Sequence, residues 1–123
     1  MLSKLLIIDD DLNVTRAFAN ILPSQGFEVM ISNSGIEGIE LVRQWQPDVI
    51  MLDLMMPGMD GWQVCRQIRT FSQVPILILS AVVDTRDVIY ALDQGADDYM
   101  VKPPPLAVLS ARLKQLIEQR SSR

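Results

Sequence analysis

The sequence predicts an α/β protein built on a five-stranded, doubly wound parallel sheet with strand order 2-1-3-4-5. Short apolar runs alternate with longer segments whose apolar residues recur every three or four positions, and short turns separate them. Such alternation is typical of parallel strands covered by helices on both faces. Because crossovers are right-handed, few topologies remain, and the order 2-1-3-4-5 is the leading one. The 123 residues suit a single domain over residues 1–123.

Five short apolar runs are the predicted strands. They are residues 5–8, 27–31, 49–52, 76–79 and 99–101. The turn before the second strand contains Pro23, which is expected to end the preceding helix, and Gly26, which favours a change of direction. The order of elements along the chain is therefore strand, helix, repeated five times.

Five segments with helical spacing follow the strands, and each carries an apolar stripe. They are residues 12–22, 35–45, 61–71, 85–94 and 105–120. Gly95 is expected to close the fourth helix, since glycine is favoured just after a helix end. The residues expected on the core-facing stripes are Val14, Phe18, Ile21, Ile39, Val42, Trp45, Val64, Cys65, Ile68, Phe71, Ile89, Leu92, Leu106, Leu109, Leu113 and Leu116.

Composition excludes several classes of protein. The chain has no histidine, which excludes Ser-His and Cys-His catalysis and histidine-ligated zinc. The single cysteine, Cys65, cannot form an internal disulfide and is predicted to be a small core residue. A net charge of −4 makes the domain alone poorly suited to bind nucleic acid. No apolar run approaches the about 18 residues of a membrane span, and the start is not a signal peptide, so a cytoplasmic protein with no membrane contact is expected.

Charged or hydroxyl residues follow four of the five predicted strands. Asp9 and Asp10 follow the first, and Asp53 follows the third. Ser80 follows the fourth strand, and Lys102 follows the fifth. Ligands of such sheets bind beyond the carboxyl ends of the strands, so these side chains are expected to meet at one edge. The second strand ends in Ser-Asn-Ser-Gly, which offers no comparable group.

These side chains together suit phosphoryl transfer to an aspartate. Three neighbouring carboxylates need a cation to balance them, and oxygen ligands with retained water favour Mg²⁺. A lysine and a hydroxyl facing the acids suit an anion held at the same place. Taken singly, the acids could be a solvated loop, Asp11 a helix cap and Ser80 the start of a helix. Their joint occurrence at strand ends favours the functional interpretation.

The sequence resembles the receiver domains of two-component response regulators over essentially its whole length. The motifs that carry the resemblance are LLIIDDD, PDVIMLDLMMPGMDGWQVCRQIR, VPILILSA and GADDYMVKP, in that order. The resemblance implies a CheY-like, flavodoxin-like fold of five strand–helix repeats. It also implies a signalling protein that promotes its own aspartyl phosphorylation and dephosphorylation, rather than an enzyme with other substrates. The expected phosphoryl donor is a sensor histidine kinase or a phosphotransfer protein.

The resemblance assigns a role to each acidic residue of the predicted site. Asp53 is expected to be the phosphoacceptor. Asp10 and Asp53 are expected to bind Mg²⁺ through their side chains, and Asp9 mostly through water. Met55 is expected to contribute its backbone carbonyl to the same ion.

The resemblance also implies a switch. Ser80 is expected to bond a phosphoryl oxygen, and Lys102 to pair with the phosphoryl group. Tyr99 matches the aromatic residue that turns inward when Ser80 is drawn toward the phosphate. The Lys102–Pro103 peptide is expected to be cis. The switching surface would be the fourth helix, the fifth strand and the fifth helix.

Two segments, Ala-Asp-Asp-Tyr and Ala-Arg-Leu-Lys, also resemble the OmpR/PhoB branch, whose receivers pair through that surface. By this analogy, Asp97 would meet Lys114 across a two-fold axis. Asp98 would similarly meet Arg112. The resemblance therefore implies a homodimer when the protein is phosphorylated.

Other features of the branch bear on partners. Val88 and Val108 stand at positions that are often charged in it, so apolar contact is expected to strengthen pairing or to alter partner choice. Either the receiver acts as a single-domain regulator, or DNA is contacted only through an output domain that lies outside this sequence. Residues 118–123 are expected to begin a tail or linker toward such a domain.

Three alternative functions compete with this interpretation. A flavodoxin-like cofactor binder would need a hydroxyl- and glycine-rich loop where the acidic Asp-Asp-Asp-Leu-Asn stands. A dehalogenase-type phosphatase would use Asp9 as nucleophile and Asp11 as second acid, with Asp53 only a metal ligand. A degenerate receiver would serve as a docking module without phosphorylation, and the complete set of site residues argues against it.

Overall fold

Five parallel strands form one sheet in the computed structural model, which describes residues 2–81 and 84–121. The strands are β1 (Ser3–Ile8), β2 (Phe27–Ser32), β3 (Val49–Leu52), β4 (Ile76–Ser80) and β5 (Asp98–Val101). Each neighbouring pair is parallel, and the order is β2-β1-β3-β4-β5. The predicted fold class and strand order are confirmed.

The helices match the predicted segments to within two residues. They are α1 (Leu12–Ile21), α2 (Gly35–Trp45), α3 (Gly61–Arg69), α4 (Thr85–Asp93) and α5 (Leu106–Ser121), and a 3₁₀ turn (Leu22–Gln25) follows α1. Asp11 caps α1 by accepting bonds from the N–H groups of Asn13 and Val14, as expected. Helix α5 continues through residues 118–121, where a tail was expected to begin, and residues 122–123 lie outside the described part.

The sheet has a separate apolar cluster on each face. Successive strand residues point to opposite faces, so Leu6 and Ile8 of β1 pack with α2 and α3, whereas Leu5 and Ile7 pack with α5. Cys65 of α3 is buried in the first cluster, and burial raises the pKa of its thiol to about 11. This confirms Cys65 as a core residue. Within the described ranges, no helix is both long and apolar enough to cross a bilayer.

Three residues expected in the core are exposed: Ile21 of α1 and Ile89 and Leu92 of α4. Helix α4 turns the small Ala91 toward the sheet, which leaves the larger apolar side chains on its outer side. Helix α1 buries Thr15 instead, and Ile21 is exposed. The prediction was wrong here because an apolar stripe does not reveal which way a helix is rotated.

Arg69, at the end of α3, fastens two loops to each other. Its Nε donates to the carbonyl oxygen of Gly95 at 2.9 Å. Its Nη1 donates to the carbonyl oxygens of Ser72 at 3.2 Å and Val74 at 2.8 Å. One side chain therefore joins the α3–β4 loop to the α4–β5 loop.

The same guanidinium also reaches Asp97. Arg69 Nη2 donates to Asp97 Oδ2 at 2.9 Å, and that oxygen accepts the Ile76 N–H at 2.9 Å where β4 begins. Gly95 has a φ of +110°, and a side chain there would come within 2.7 Å of Arg69 Cγ. We call these contacts of Arg69 the Arg69 clamp. Glycine is required at position 95 because the backbone there has a positive φ and because the Arg69 side chain leaves no room for a Cβ atom.

We expect Arg69→Met to lower the free energy of unfolding by about 2–4 kcal/mol, because three carbonyls and one carboxylate lose a charged donor. Urea denaturation measures the change. Arg66→Met is the matched control on the exposed side of α3, and we expect it to cost less than about 0.5 kcal/mol. Equal, small losses in both variants would contradict a structural role for the clamp.

Candidate functional site

Strands β1 and β3 deliver two aspartates to the same edge of the sheet. The strands are paired with Ile8 opposite Leu52, and Asp9 and Asp53 are the residues that follow them. The Asp53 N–H donates to the Ile8 carbonyl oxygen at 3.0 Å, so pairing continues past the end of β3. Parallel pairing in this register is what brings the two carboxylates together.

Strands β4 and β5 deliver the hydroxyl and the amine. Ser80 ends β4 and pairs with Val101 at the end of β5. The Lys102 N–H then donates to the Ser80 carbonyl oxygen at 2.9 Å. The Lys102–Pro103 peptide is cis, as expected. Each of the four strand-end groups thus lies where the sequence placed it.

The acidic residues form a cluster. Asp9, Asp10 and Asp53 each offer a carboxylate oxygen, and these oxygens lie within 4.8 Å of one another. Asp9 and Asp53 are 3% and 7% exposed, whereas Asp10 is open to solvent. Burial, and then the charge on Asp9, raise the pKa of Asp53, and Lys102 opposes them. The cluster is therefore short of positive charge.

The composition of this cluster fits Mg²⁺. All of its side-chain donors are oxygens, which suit a hard cation. The exposure of Asp10 leaves one side open, where Mg²⁺ can keep the water ligands it releases reluctantly. The residues that would hold the ion are Asp10 and Asp53, with Asp9 close beside them.

Lys102 supplies the positive charge that the cluster has. Its Nζ lies 2.7 Å from Asp9 Oδ2 and 3.6 Å from Asp53 Oδ2. Burial lowers the pKa of Lys102, but the bond to Asp9 and the charge of Asp53 outweigh it, so the pKa is raised overall. The amine therefore stays charged and lies between the two buried carboxylates.

Ser80 links the acidic cluster to Tyr99. The Ser80 side chain is fully buried, and its hydrogen bond to Asp53 opposes the rise of that pKa. Burial raises the pKa of Tyr99, and a hydrogen bond with Ser80 opposes this as well. Tyr99 is half-buried and packs against the cluster that contains β1, β3 and α3. One hydroxyl thus contacts both the predicted phosphoacceptor and the predicted switch residue.

The loop after Asp53 is held close to it. The Met55 N–H points to Asp53 Oδ1 at 3.5 Å, and the Met55 side chain is exposed. The Gly61 N–H donates to the Leu54 carbonyl oxygen at 2.9 Å. A side chain on Gly61 would overlap the carbonyl oxygen of Asp53 itself. Only glycine lets α3 begin this near the acidic cluster.

Asn33 belongs to the site, although the sequence analysis found nothing comparable after the second strand. Its Nδ2 donates to the Asp9 carbonyl oxygen at 2.9 Å and to Thr15 Oγ1 at 3.2 Å. The Asp9 N–H also donates to the Ser32 carbonyl oxygen at 3.1 Å. The signal that could have found Asn33 is its place just after β2, at the edge where the acids lie.

The charged residues predicted to pair between subunits have contacts within the chain. Arg112 Nη1 lies 3.3 Å from Asp98 Oδ1, and Asp97 is bound to Arg69. Lys114 Nζ lies 6.0 Å from the centre of the Phe27 ring. Residues two apart on a helix do not share a face, so Arg112 and Lys114 point to different sides of α5.

Of the two valines predicted at the same interface, Val108 is exposed on α5 and Val88 is half-buried on α4. Helix α4 and strand β5 carry further exposed apolar side chains in addition to Val108 of α5. Ile89 is 54% exposed, Leu92 42%, Val101 43% and Val108 42%. These four exposed residues lie on α4, β5 and α5, and we call them the α4–β5–α5 face.

Comparison with known protein families identifies the family to which this fold belongs. Residues 5–114 match the family model of the response regulator receiver domain. The chain belongs to this family. The resemblance in the sequence is confirmed.

Relatives of this receiver domain are regulators of transcription by name. It is 44% identical over 116 residues to the transcriptional regulatory protein AfsQ1 of Streptomyces coelicolor, covering 94% of this chain and 52% of that protein. It is 40% identical over 114 residues to the DNA-binding response regulator MtrA of Mycobacterium tuberculosis, covering 93% and 50%. The chain thus spans about half the length of the curated relatives it matches.

The solved structures that superpose on this chain include receiver domains, in agreement with the family assignment. The BeF3-activated N-terminal receiver domain of Klebsiella pneumoniae RstA has a TM-score of 0.89 and 34% identity to this receiver domain. The match covers 93% of this chain and 97% of that one.

We expect Asp53→Asn to stabilise the metal-free domain by about 1 kcal/mol at neutral pH, because it removes a buried charge that faces Asp9. The folded-state pKa of Asp53 is raised. Its charge therefore destabilises the fold above that pKa, and the gain in the variant should fade as the pH falls toward the unfolded value. Thermal unfolding in a chelating buffer across pH measures this.

Added Mg²⁺ should reverse the order of stability. At ten times its dissociation constant, the ion stabilises the unmodified domain by about 1.4 kcal/mol, and Asp53→Asn should gain much less. Asp93→Asn, an exposed aspartate on α4, serves as the control and should respond like the unmodified chain. Equal stabilisation of the Asp53 variant by MgCl₂ would show that the acidic cluster is not the metal site.

Proposed function

We propose that this receiver domain accepts a phosphoryl group on Asp53 in a Mg²⁺-dependent reaction. The donor is a phosphohistidine on a sensor histidine kinase or a phosphotransfer protein, since this chain contains no histidine. The observation that carries the proposal is the convergence of a buried Asp53, two further carboxylates and Lys102 at one edge of the sheet. Ser80 completes the set.

The reaction uses groups that already face one another. A carboxylate oxygen of Asp53 attacks phosphorus, the bond from phosphorus to the donor nitrogen breaks, and the electron pair stays on the imidazole. When bound, Mg²⁺ supplies positive charge against both the carboxylates and the phosphoryl oxygens. Its ligands would be Asp10, Asp53 and the Met55 carbonyl, with Asp9 acting through water. Lys102 would turn from Asp9 to a phosphoryl oxygen.

Phosphorylation would change the partners of Ser80. A phosphoryl group brings about −1.5 to −2 of charge and three strong acceptor oxygens. The Ser80 hydroxyl, which now contacts Asp53 and Tyr99, would be drawn to those oxygens. Tyr99 would then settle further inward and bias the α4–β5–α5 face between two arrangements.

The contacts of two aspartates support this proposal over a phosphatase of the dehalogenase type. That reaction would need Asp9 as nucleophile and Asp11 as a free acid. Asp9 Oδ2 is bound to Lys102 at 2.7 Å, and its Oδ1 accepts the Asp11 N–H at 3.0 Å. The Asp11 carboxylate caps α1. The domain would therefore promote its own phosphorylation and dephosphorylation without turning over other substrates.

Phosphorylated domains would pair through the α4–β5–α5 face. Its exposed apolar residues form a patch of the kind that marks interaction surfaces. Asp98 and Arg112 border the patch, and their bond within the chain could be exchanged for one across a two-fold axis. Asp97 and Lys114 would form the second pair, for which the long Lys114 side chain would have to leave Phe27 and reach around α5 to the Asp97 oxygen that Arg69 does not hold.

The output would be transcriptional. AfsQ1 and MtrA are named as transcription regulators, and this receiver spans about half of each. We therefore propose a DNA-binding output domain on the complete protein and a cytoplasmic location. The receiver itself has a net charge of −4 and would not contact DNA.

The direct test is phosphorylation by acetyl phosphate with Mg²⁺, followed by intact mass. The unmodified domain should gain one phosphoryl group, Asp53→Asn should gain none, and Lys102→Met should react about 100-fold more slowly because it loses the charge that faces the phosphoryl group. EDTA should stop the reaction, and Asp93→Asn should react normally. Labelling of Asp53→Asn at the same stoichiometry would refute the proposal, as would steady turnover of a small phosphate ester.

The dimer is tested separately with the beryllium fluoride mimic and sedimentation velocity. Arg112→Glu places like charges opposite each other at the edge of the α4–β5–α5 face, so we expect self-association to weaken about tenfold. Arg66→Glu, on the exposed side of α3, makes the same change of charge elsewhere and should have little effect. Unchanged sedimentation of the Arg112 variant would count against this interface.

A further inference from the structure

We propose that Asn33 is a positioning residue for the magnesium site, which holds the Asp9–Asp10 peptide so that Asp10 presents its carboxylate to the ion. The inference rests on the proposed function of the acidic cluster and assigns a role to a residue outside it. Asn33 follows β2, whereas the ends of the other four described strands carry the acids, Ser80 and Lys102.

The Asn33 amide is fixed at two points. Its Nδ2 carries two hydrogens, and the two bonds, to the Asp9 carbonyl at 2.9 Å and to Thr15 Oγ1 at 3.2 Å, use both. Thr15 is fully buried, and its own hydroxyl donates to the Leu12 carbonyl oxygen at 3.2 Å. The amide is therefore fastened to the first turn of α1 as well as to the loop that carries the acids.

Asp9 is restrained along its whole length. Its N–H donates to the Ser32 carbonyl oxygen, and its carbonyl accepts from Asn33. Its two carboxylate oxygens accept from the Asp11 N–H and from Lys102. A peptide unit is planar, so fixing the Asp9 carbonyl also fixes the nitrogen and the Cα of Asp10. The bond from Asn33 therefore limits the directions in which the Asp10 side chain can point.

The next residue is Asp10, whose side chain has no such restraint. Among residues 2–81 and 84–121, no hydrogen bond or ion pair is described for its carboxylate, and it is exposed. Its position relative to Asp9 and Asp53 therefore depends on the backbone that Asn33 holds. Mg²⁺ demands near-ideal octahedral geometry, so a small rotation of this peptide should weaken binding.

The test measures Mg²⁺ affinity directly, without any phosphoryl donor. Backbone amide signals of the Asp9–Asp11 segment are followed by NMR while MgCl₂ is added. Asn33→Leu keeps most of the side-chain volume but removes the donor, and we expect the dissociation constant to rise about tenfold, the lower end for residues that orient metal ligands. Asn20→Leu, an exposed position on α1, is the matched control and should leave the constant unchanged.

Thr15→Val separates positioning from stability. It removes the acceptor of the second Asn33 bond and leaves the bond to the Asp9 carbonyl. We expect a lower free energy of unfolding with a Mg²⁺ dissociation constant within about twofold of the unmodified value. A merely structural role for Asn33 would make the Thr15 and Asn33 variants lose affinity together, and that result would overturn the inference.

Two further variants distinguish this inference from the site itself. If Asp10→Asn and Asp53→Asn lose Mg²⁺ affinity while Asn33→Leu binds normally, the role of Asn33 is refuted and the metal site stands. If Asp10→Asn and Asp53→Asn bind Mg²⁺ as the unmodified chain does, the proposed site fails first. Circular dichroism checks that each variant is folded, and Asn33→Ala replaces Asn33→Leu, with the same expectation, if the leucine is not tolerated.

Discussion

The repulsion between the carboxylates of Asp9 and Asp53 is the constraint around which this edge of the sheet is organised. In-register pairing of β1 and β3 forces the two groups together in a buried place, where charge is costly. Lys102 is held between them by the end of β5, and Asp10 leaves the cluster open to a hard cation. The apolar strands thus assemble a site whose three carboxylates outnumber its one lysine.

The residues at the same strand ends also connect the acidic cluster to strand β5. Ser80 lies at the end of β4 and contacts both Asp53 and Tyr99, so one hydroxyl joins the aspartate to the aromatic ring. Tyr99 belongs to β5, the strand between α4 and α5 in the chain. One hydroxyl therefore separates the acidic cluster from the strand that carries the exposed Val101.

The fold and the strand-end residues could be predicted because they depend on patterns along the chain: apolar runs, helical spacing and the residue after each strand. What could not be predicted depends on direction in space. Ile89 and Leu92 form an apolar stripe, but the rotation of α4 places Ala91 inside. Asn33 has no periodic signal, and its importance lies in where its amide points. Arg69 binds loop carbonyls whose positions no local pattern fixes.

The clamp made by Arg69 limits how α4 can move. Its bond to the Gly95 carbonyl fastens the trailing end of the helix, and the Asp97 carboxylate joins that point to the start of β4. Because the C-terminal end of α4 is fixed, the N-terminal end near Thr85 would move farthest if the helix changed its orientation.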